Sequence, residues 1–378
     1  MTVIGLMVLC ACTAGDDETA VVSVADETLM PISFGGLMQE EQAVTRTATP
    51  LSETATEFKV WGYKNMTYSE DNYGGLQTVF PGYTVRWEAG TASTTVTNSS
   101  NWEYILPSPF EQTVKYWDWG AKAYRFFAVT GAAAADAAEL AAAPQKYLPG
   151  GTAGAPSLSF RVDATSETEL DKMPYFTRMW FSTGDPVAYS DKLFGQPVVL
   201  EFVKPLTRVR FLFTYAYPRE GIVLEDISFH PSSDNPPTLP EDAVGIVRKS
   251  IVTVTYPLSG TATEEIYTTA ADADKSSRLS AFTEDYDPED DTKVYSETDE
   301  GWYSVAPNVG QDTFTLSLRV NGAERTCTVP VQYMQWLPGY SYTYVFRITE
   351  VGGVEIGWVE SAVTPWTIMN TSHTVYNW

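Results

Sequence analysis

The sequence predicts an all-β protein with two β-sandwich domains in tandem. Three observations carry the prediction. Short runs of β-branched and aromatic residues recur along the whole chain, broken by Gly, Pro, Asn and Ser. A single stretch, from Gly131 to Ala143, has the composition of a helix former. The 378 residues are 44% hydrophobic and 13% aromatic, enough apolar material for two cores in domains of about 150 residues each.

The chain starts with an apolar run that ends at Cys12 and then turns acidic. That run is too short for a transmembrane helix, which needs about 20 apolar residues, and it reads as the apolar part of an export signal. The positive charge that usually opens such a signal is missing, which leaves room for a start codon upstream. Leu9-Cys10-Ala11-Cys12 resembles the lipobox of bacterial lipoproteins. A small residue precedes Cys12, making it the candidate lipidation site, whereas Leu9 makes Cys10 the poorer one. An ordinary signal peptide is the alternative.

Val21-Val22-Ser-Val24 and Met30-Pro-Ile32-Ser-Phe34 are β-type, so residues 21–34 read as a strand. No Lys or Arg precedes Arg46. An Arg-specific protease would therefore cut first between Arg46 and Thr47, inside a polar linker. That cut would detach the strand and let the remaining body polymerise.

The elements follow in order. Val60-Trp-Gly-Tyr, Thr78-Val-Phe and Tyr83-Thr-Val-Arg-Trp87 read as strands, and Thr91 to Ser100 as a loop. Trp102-Glu-Tyr leads to Tyr116-Trp-Asp-Trp119 and to the aromatic strand Ala123-Tyr-Arg-Phe-Phe-Ala128. The Ala-rich stretch 131–143 is a helix or a flexible loop, since its apolar face is weak. Leu158-Ser-Phe-Arg-Val resumes as strand. The division between domains is expected near Gly195 and Pro197, giving 47–195 and 196–378. Val198-Val-Leu-Glu-Phe-Val and Leu206 to Tyr215 form the strongest β pattern. Ile222 to Phe229 and Ile251 to Tyr256 continue it, and the last third is almost pure strand. Asn321-Gly322 supplies the two positive φ angles of a type I′ hairpin turn.

Net charge is −24. Such a surface repels nucleic acid and anionic membranes, so nucleic-acid binding is excluded. The acidic run Asp285 to Asp291 lacks the spacing and glycine of an EF-hand and reads as a solvated loop rather than a metal site. Cys327 is the lone cysteine after the export signal and reads as a buried structural thiol. His230 and His373 are far apart, and no zinc spacing, nucleophile elbow or phosphate loop occurs. No cofactor is indicated, and no pair of carboxylates is singled out for glycoside chemistry. Trp61, Trp87, Trp102, Trp117, Trp119, Trp180 and Trp302 read first as core or sheet-face packing and second as a sugar-stacking platform.

Four features, in order, resemble the fimbrillins of Bacteroidetes, the subunits of type V pili. They are the lipobox followed by Val44-Thr-Arg46-Thr-Ala48; Trp102-Glu-Tyr with Lys115-Tyr-Trp and Tyr124-Arg-Phe-Phe-Ala128; Leu200-Glu-Phe-Val-Lys-Pro-Leu-Thr-Arg-Val-Arg-Phe211, with Lys204 where relatives often carry His; and Trp336-Leu-Pro-Gly-Tyr-Ser-Tyr-Thr-Tyr344. The resemblance implies two transthyretin-like β-sandwiches, a lipid anchor in the outer membrane before cleavage, and a non-enzymatic shaft or tip subunit at the cell surface. Implied partners are an Arg-specific surface protease, other fimbrial subunits, and a ligand on a host or bacterial surface. Strand exchange would then replace the strand of Val21, Val22, Val24, Ile32 and Phe34 with a C-terminal donor. Ile368, Val375, Tyr376 and Trp378 make the C-terminal tail the candidate donor. The rival reading is an uncleaved surface lipoprotein that binds glycans through exposed tryptophans.

Overall fold

Alternation along single strands decides which residues meet in the later part of the chain. In Phe314–Val320 the residues Phe314, Leu316, Leu318 and Val320 are buried and those between them are more exposed, as the period-two geometry of a strand requires. Asn321 and Gly322 turn the chain at φ 50° and 78°, so that Val320 pairs with Ala323 at the head of the strand Ala323–Val329. The expected hairpin is there, for the expected reason. Cys327, on that strand, is partly rather than fully buried.

These positions come from a computed structural model, which describes residues 30–38, 51–53, 55–89, 101–163, 172–183, 194–215, 222–231, 249–269, 277–278, 303–309, 313–349 and 353–363. Within them the protein is all-β. Two four-stranded sheets make the later sandwich. One contains Leu224–Pro231 beside the hairpin, and the other pairs Thr207–Tyr215 in parallel with Tyr340–Ile348. Val209, Phe211, Phe213, Tyr344, Phe346 and Trp336 fill the space between them.

The earlier sandwich is less regular. Its large sheet has eight strands, with Phe34–Met38 at one end, then Val198–Val203, Phe176–Thr177, Ala123–Thr130, Glu57–Ser69 and Asn72–Trp87. Ala123–Thr130 is buried at every position because both of its faces are covered. Tyr124, Phe126 and Ala128 belong to an aromatic core with Phe34, Phe80, Tyr104 and Trp117. Phe127 and Val129 belong to a second core, with Tyr147, Phe160, Val254 and Tyr256, beneath a five-stranded sheet. The expected division near Gly195 and Pro197 precedes Val198–Val203, which pairs inside the large sheet. The chain then crosses through Lys204-Pro205-Leu206 and later returns, as Lys249–Thr255 pairs with Ala155–Asp163.

The Ala-rich stretch is shorter as a helix than its composition predicts. Ala132–Ala133 pairs as a strand, and the helix is the six residues Ala137–Ala142, capped by Asp136, whose Oδ1 accepts the Glu139 N–H at 2.8 Å. One apolar residue, Leu140, is buried, too little to anchor a longer helix. The tryptophans are mainly structural: Trp102 and Trp117 are buried, and Trp61, Trp87 and Trp180 pack partly buried against the cores. Trp119 is 52% exposed, and Trp302 lies outside the described residues.

Candidate functional site

The site is the first described strand and the groove that holds it. Ile32 and Phe34 alternate with Ser33 and Gly35, and both apolar side chains are fully buried. The backbone is held from both sides. The Ile32 N–H donates to the Lys115 carbonyl at 2.8 Å and the Trp117 N–H donates to the Met30 carbonyl at 2.9 Å, while the Val198 N–H donates to the Ser33 carbonyl at 2.8 Å. From Phe34↔Val198 to Met38↔Phe202 the strand runs parallel to Val198–Val203.

Phe34 sits in a cage of rings, with Phe80 at 5.0 Å, Phe126 at 5.8 Å and Tyr104 at 6.0 Å, all edge-on, the arrangement aromatic quadrupoles prefer. The Tyr104 hydroxyl ties two elements together. It donates to the Ile32 carbonyl at 3.0 Å and accepts the Lys115 N–H at 3.1 Å. Burial pushes the Tyr104 phenol far above its ordinary value, so it stays a donor. Gly36 sits in a tight space. A Cβ there would lie 3.0 Å from Leu51 Cδ2 and 3.2 Å from Leu51 Cβ. Leu51 is fully buried in the short turn Leu51–Glu53. Residues 39–50, which contain Arg46, thus connect two points in the same core. A cut there would break the covalent link but leave Ile32 and Phe34 seated.

The large sheet ends at this strand. On its other side Val198–Val203 pairs through Phe202↔Thr177 and Val203↔Phe176. Without residues 30–38, Val198 and Leu200 would lose their strand partner and Phe80, Tyr104 and Phe126 would face an empty slot. Met30, Tyr116 and Trp119 are exposed beside the strand, with Tyr116 bridged to Pro31 and Met30 directly before it.

Charged groups brace this sheet from elsewhere. Lys64 pairs with Asp118 at 2.5 Å and holds the Asp118 carboxyl below its ordinary value. Arg125 is fully buried and donates to Asn65 Oδ1 and to the carbonyls of Leu258, Gly260 and Ala262, the last two at 3.2 and 3.0 Å. It therefore clamps the returning segment onto the large sheet. Burial lowers its pKa to about 10.

Of the residues singled out in the sequence, Ile32 and Phe34 come together in one core. Cys12, Val21, Val22, Val24, Arg46, Thr47, Ile368, Val375, Tyr376 and Trp378 lie outside the described residues. Tyr104, Val198, Leu200 and Phe202 lay in stretches already read as strand or as family-like, but nothing in the sequence marked them, or Leu51, as walls of a groove. Gly35-Gly36 inside a β pattern was the available sign of a close backbone approach.

No protein-family model matches the chain, and no curated protein matches it. Among solved structures it is similar to a fimbrial protein from Bacteroides vulgatus, at 13% identity over 86% of this chain and 98% of that one, with a TM-score of 0.37. It is also similar to a fimbrial assembly protein from Parabacteroides distasonis, at 9% identity over 88% of this chain and 94% of that one, with a TM-score of 0.30.

Proposed function

We propose that the chain is a structural shaft or tip subunit of a type V fimbria. It is exported as a lipoprotein on Cys12, cut between Arg46 and Thr47 at the cell surface, and assembled by β-strand exchange in support of adhesion. The supporting observation is the burial of Ile32 and Phe34 in the terminal strand of the large sheet, directly before the Arg46 linker. The four sequence features that resemble fimbrillins support the same reading.

The physics of exchange follows from the groove. A sheet edge that loses its end strand offers unpaired N–H and C=O groups to another chain. Burying two large apolar side chains stabilises the resident strand by about 1.5–3 kcal/mol each. While the strand is tethered, its high effective concentration excludes an incoming chain. The cut at Arg46 removes that advantage, and a donor with the same apolar spacing then competes on equal terms. This reading takes 1–12 as signal and 13–46 as the removed segment; of the two sandwiches expected as 47–195 and 196–378, the earlier also takes in Val198–Val203 and Lys249–Thr255, and the tail with Ile368, Val375, Tyr376 and Trp378 is the donor.

N-terminal analysis of the surface protein tests it. A start at Thr47 in polymerised material is the expected result. A lipidated Cys12 on protein that never polymerises would overturn the assembly reading and leave a surface lipoprotein.

A further inference from the structure

Val198–Val203 has a second face. Alternation turns Val198, Leu200 and Phe202 into the aromatic core and leaves Val199 and Glu201 on the opposite side, exposed. There, past the short ladder to Phe176–Thr177, a cavity of about 730 Å³ opens between Val198–Val203 and the stretch 178–181. The loop 263–267 forms another wall, and Gln335 and Leu337 close it from the later sandwich. Ligand sites favour such boundaries between packed bodies, with volumes of roughly 300–1,000 Å³.

The wall chemistry restricts the guest. Glu265 is fixed in place, since its Oε2 accepts the Met179 N–H at 2.8 Å and its Oε1 accepts the buried Tyr267 hydroxyl. Arg178 also lines the cavity and lies over the Tyr340 ring at 5.0 Å. A cationic guest would meet this guanidinium. An anionic guest would meet Glu201, Glu264 and Glu265 on a chain of net charge −24. A wholly apolar guest would strip water from these groups and return no hydrogen bonds. The guest that fits is uncharged and rich in hydroxyls, because a hydroxyl both donates and accepts and so suits carboxylate, guanidinium and amide alike. Val199 and Ile266, both exposed on the cavity wall, supply apolar surface against which the C–H face of a sugar can rest.

We propose that this cavity binds a neutral oligosaccharide. The site does not depend on strand exchange, since it is complete in the chain with residues 30–38 seated. The test is calorimetry and saturation-transfer NMR on the intact, uncleaved chain with lactose, cellobiose, maltose and mannobiose. Sialyllactose and oligolysine serve as charged counterparts. At least one neutral sugar should bind saturably. Glu264→Ala and Gln335→Ala, both at exposed positions, should each weaken it about fivefold, the size of one lost hydrogen bond, without changing the melting temperature. Trp119→Ala should leave binding unchanged. The proposal is overturned if none of the four neutral sugars binds, or if sialyllactose or oligolysine binds in preference. It is also overturned if the cavity variants bind as well as the parent, or if Trp119→Ala abolishes binding.

Discussion

The two sandwiches bury aromatic residues equally well but close their sheets differently. In the later one, each sheet has an end strand joined to its neighbour by a short turn. Phe314–Val320 turns at Asn321-Gly322 into Ala323–Val329, and Tyr340–Ile348 pairs with Val354–Val363. The earlier one depends on distant partners, since Phe34–Met38 pairs with Val198–Val203, and Ala155–Asp163 with Lys249–Thr255. A strand held through a short turn cannot leave without unfolding its hairpin. A terminal strand held through a cleavable linker can. In the proposed assembly, exchange belongs to the earlier sandwich and the later one serves as a fixed frame.

Alkaline titration separates the two with the largest effect. Tyr124 and Tyr147 are pushed up to about 12 by burial, and Tyr104, Tyr256 and Tyr267 are raised for the same main reason. All five belong to the earlier sandwich, against Tyr342 and Tyr344 in the later one. A phenol whose folded pKa is raised contributes stability that is complete below its ordinary value near 10 and lost as pH rises through the folded value. Arg125 and Tyr83 act in the opposite sense, because their pKa values are lowered, but they are two groups against five. The earlier sandwich should therefore unfold first between about pH 10 and 12. Fragment-resolved hydrogen exchange alongside tyrosinate absorbance measures this, and simultaneous loss of both sandwiches would erase the contrast.

Phe34→Ala comes next. Emptying the cage of Phe80, Tyr104 and Phe126 should cost about 3–5 kcal/mol. The loss should appear as faster exchange in Val198–Val203 and Ala123–Thr130, with the hairpin at Asn321 unchanged. An equal loss of protection in both sandwiches would show that they unfold as one unit. Gly36→Val is a finer probe. Its side chain meets Leu51, and overpacking of this kind costs about 1–3 kcal/mol. After cleavage at Arg46 the variant strand should leave faster than the parent, measured by gel filtration of the cut protein. Parent-like retention would mean that Leu51 moves aside.

The smallest effect is Asp118→Asn. Lys64 holds this carboxyl below its ordinary value, so the pair's contribution is present above about pH 4 and lost as pH falls. Half-exposed pairs contribute about 0.2–1 kcal/mol. Denaturant midpoints of the variant and parent should differ slightly at neutral pH and converge in acid. Asp226→Asn, which breaks the exposed Arg319–Asp226 pair of the later sandwich, should match it in size.

The sequence by itself determined whatever depends on neighbours along the chain. The β class follows from period-two runs, the hairpin from the positive φ angles of Asn321 and Gly322, and the buried positions of Ile32 and Phe34 from their alternation with Ser33. The tryptophans that pack into the cores could be read as packing residues for the same reason. The tertiary structure alone decided which strands meet. No local signal says that Phe34 lies beside Val198, that residues 249–255 return to the earlier sandwich, or that Arg125 reaches the carbonyls of Gly260 and Ala262. Main-chain hydrogen bonds are nearly indifferent to the side chains that flank them, so any apolar strand can pair with many others. The choice among them depends on the apolar surface that the whole arrangement buries, here around Phe126 on one face of the large sheet and Phe127 on the other, a sum over residues far apart in the chain.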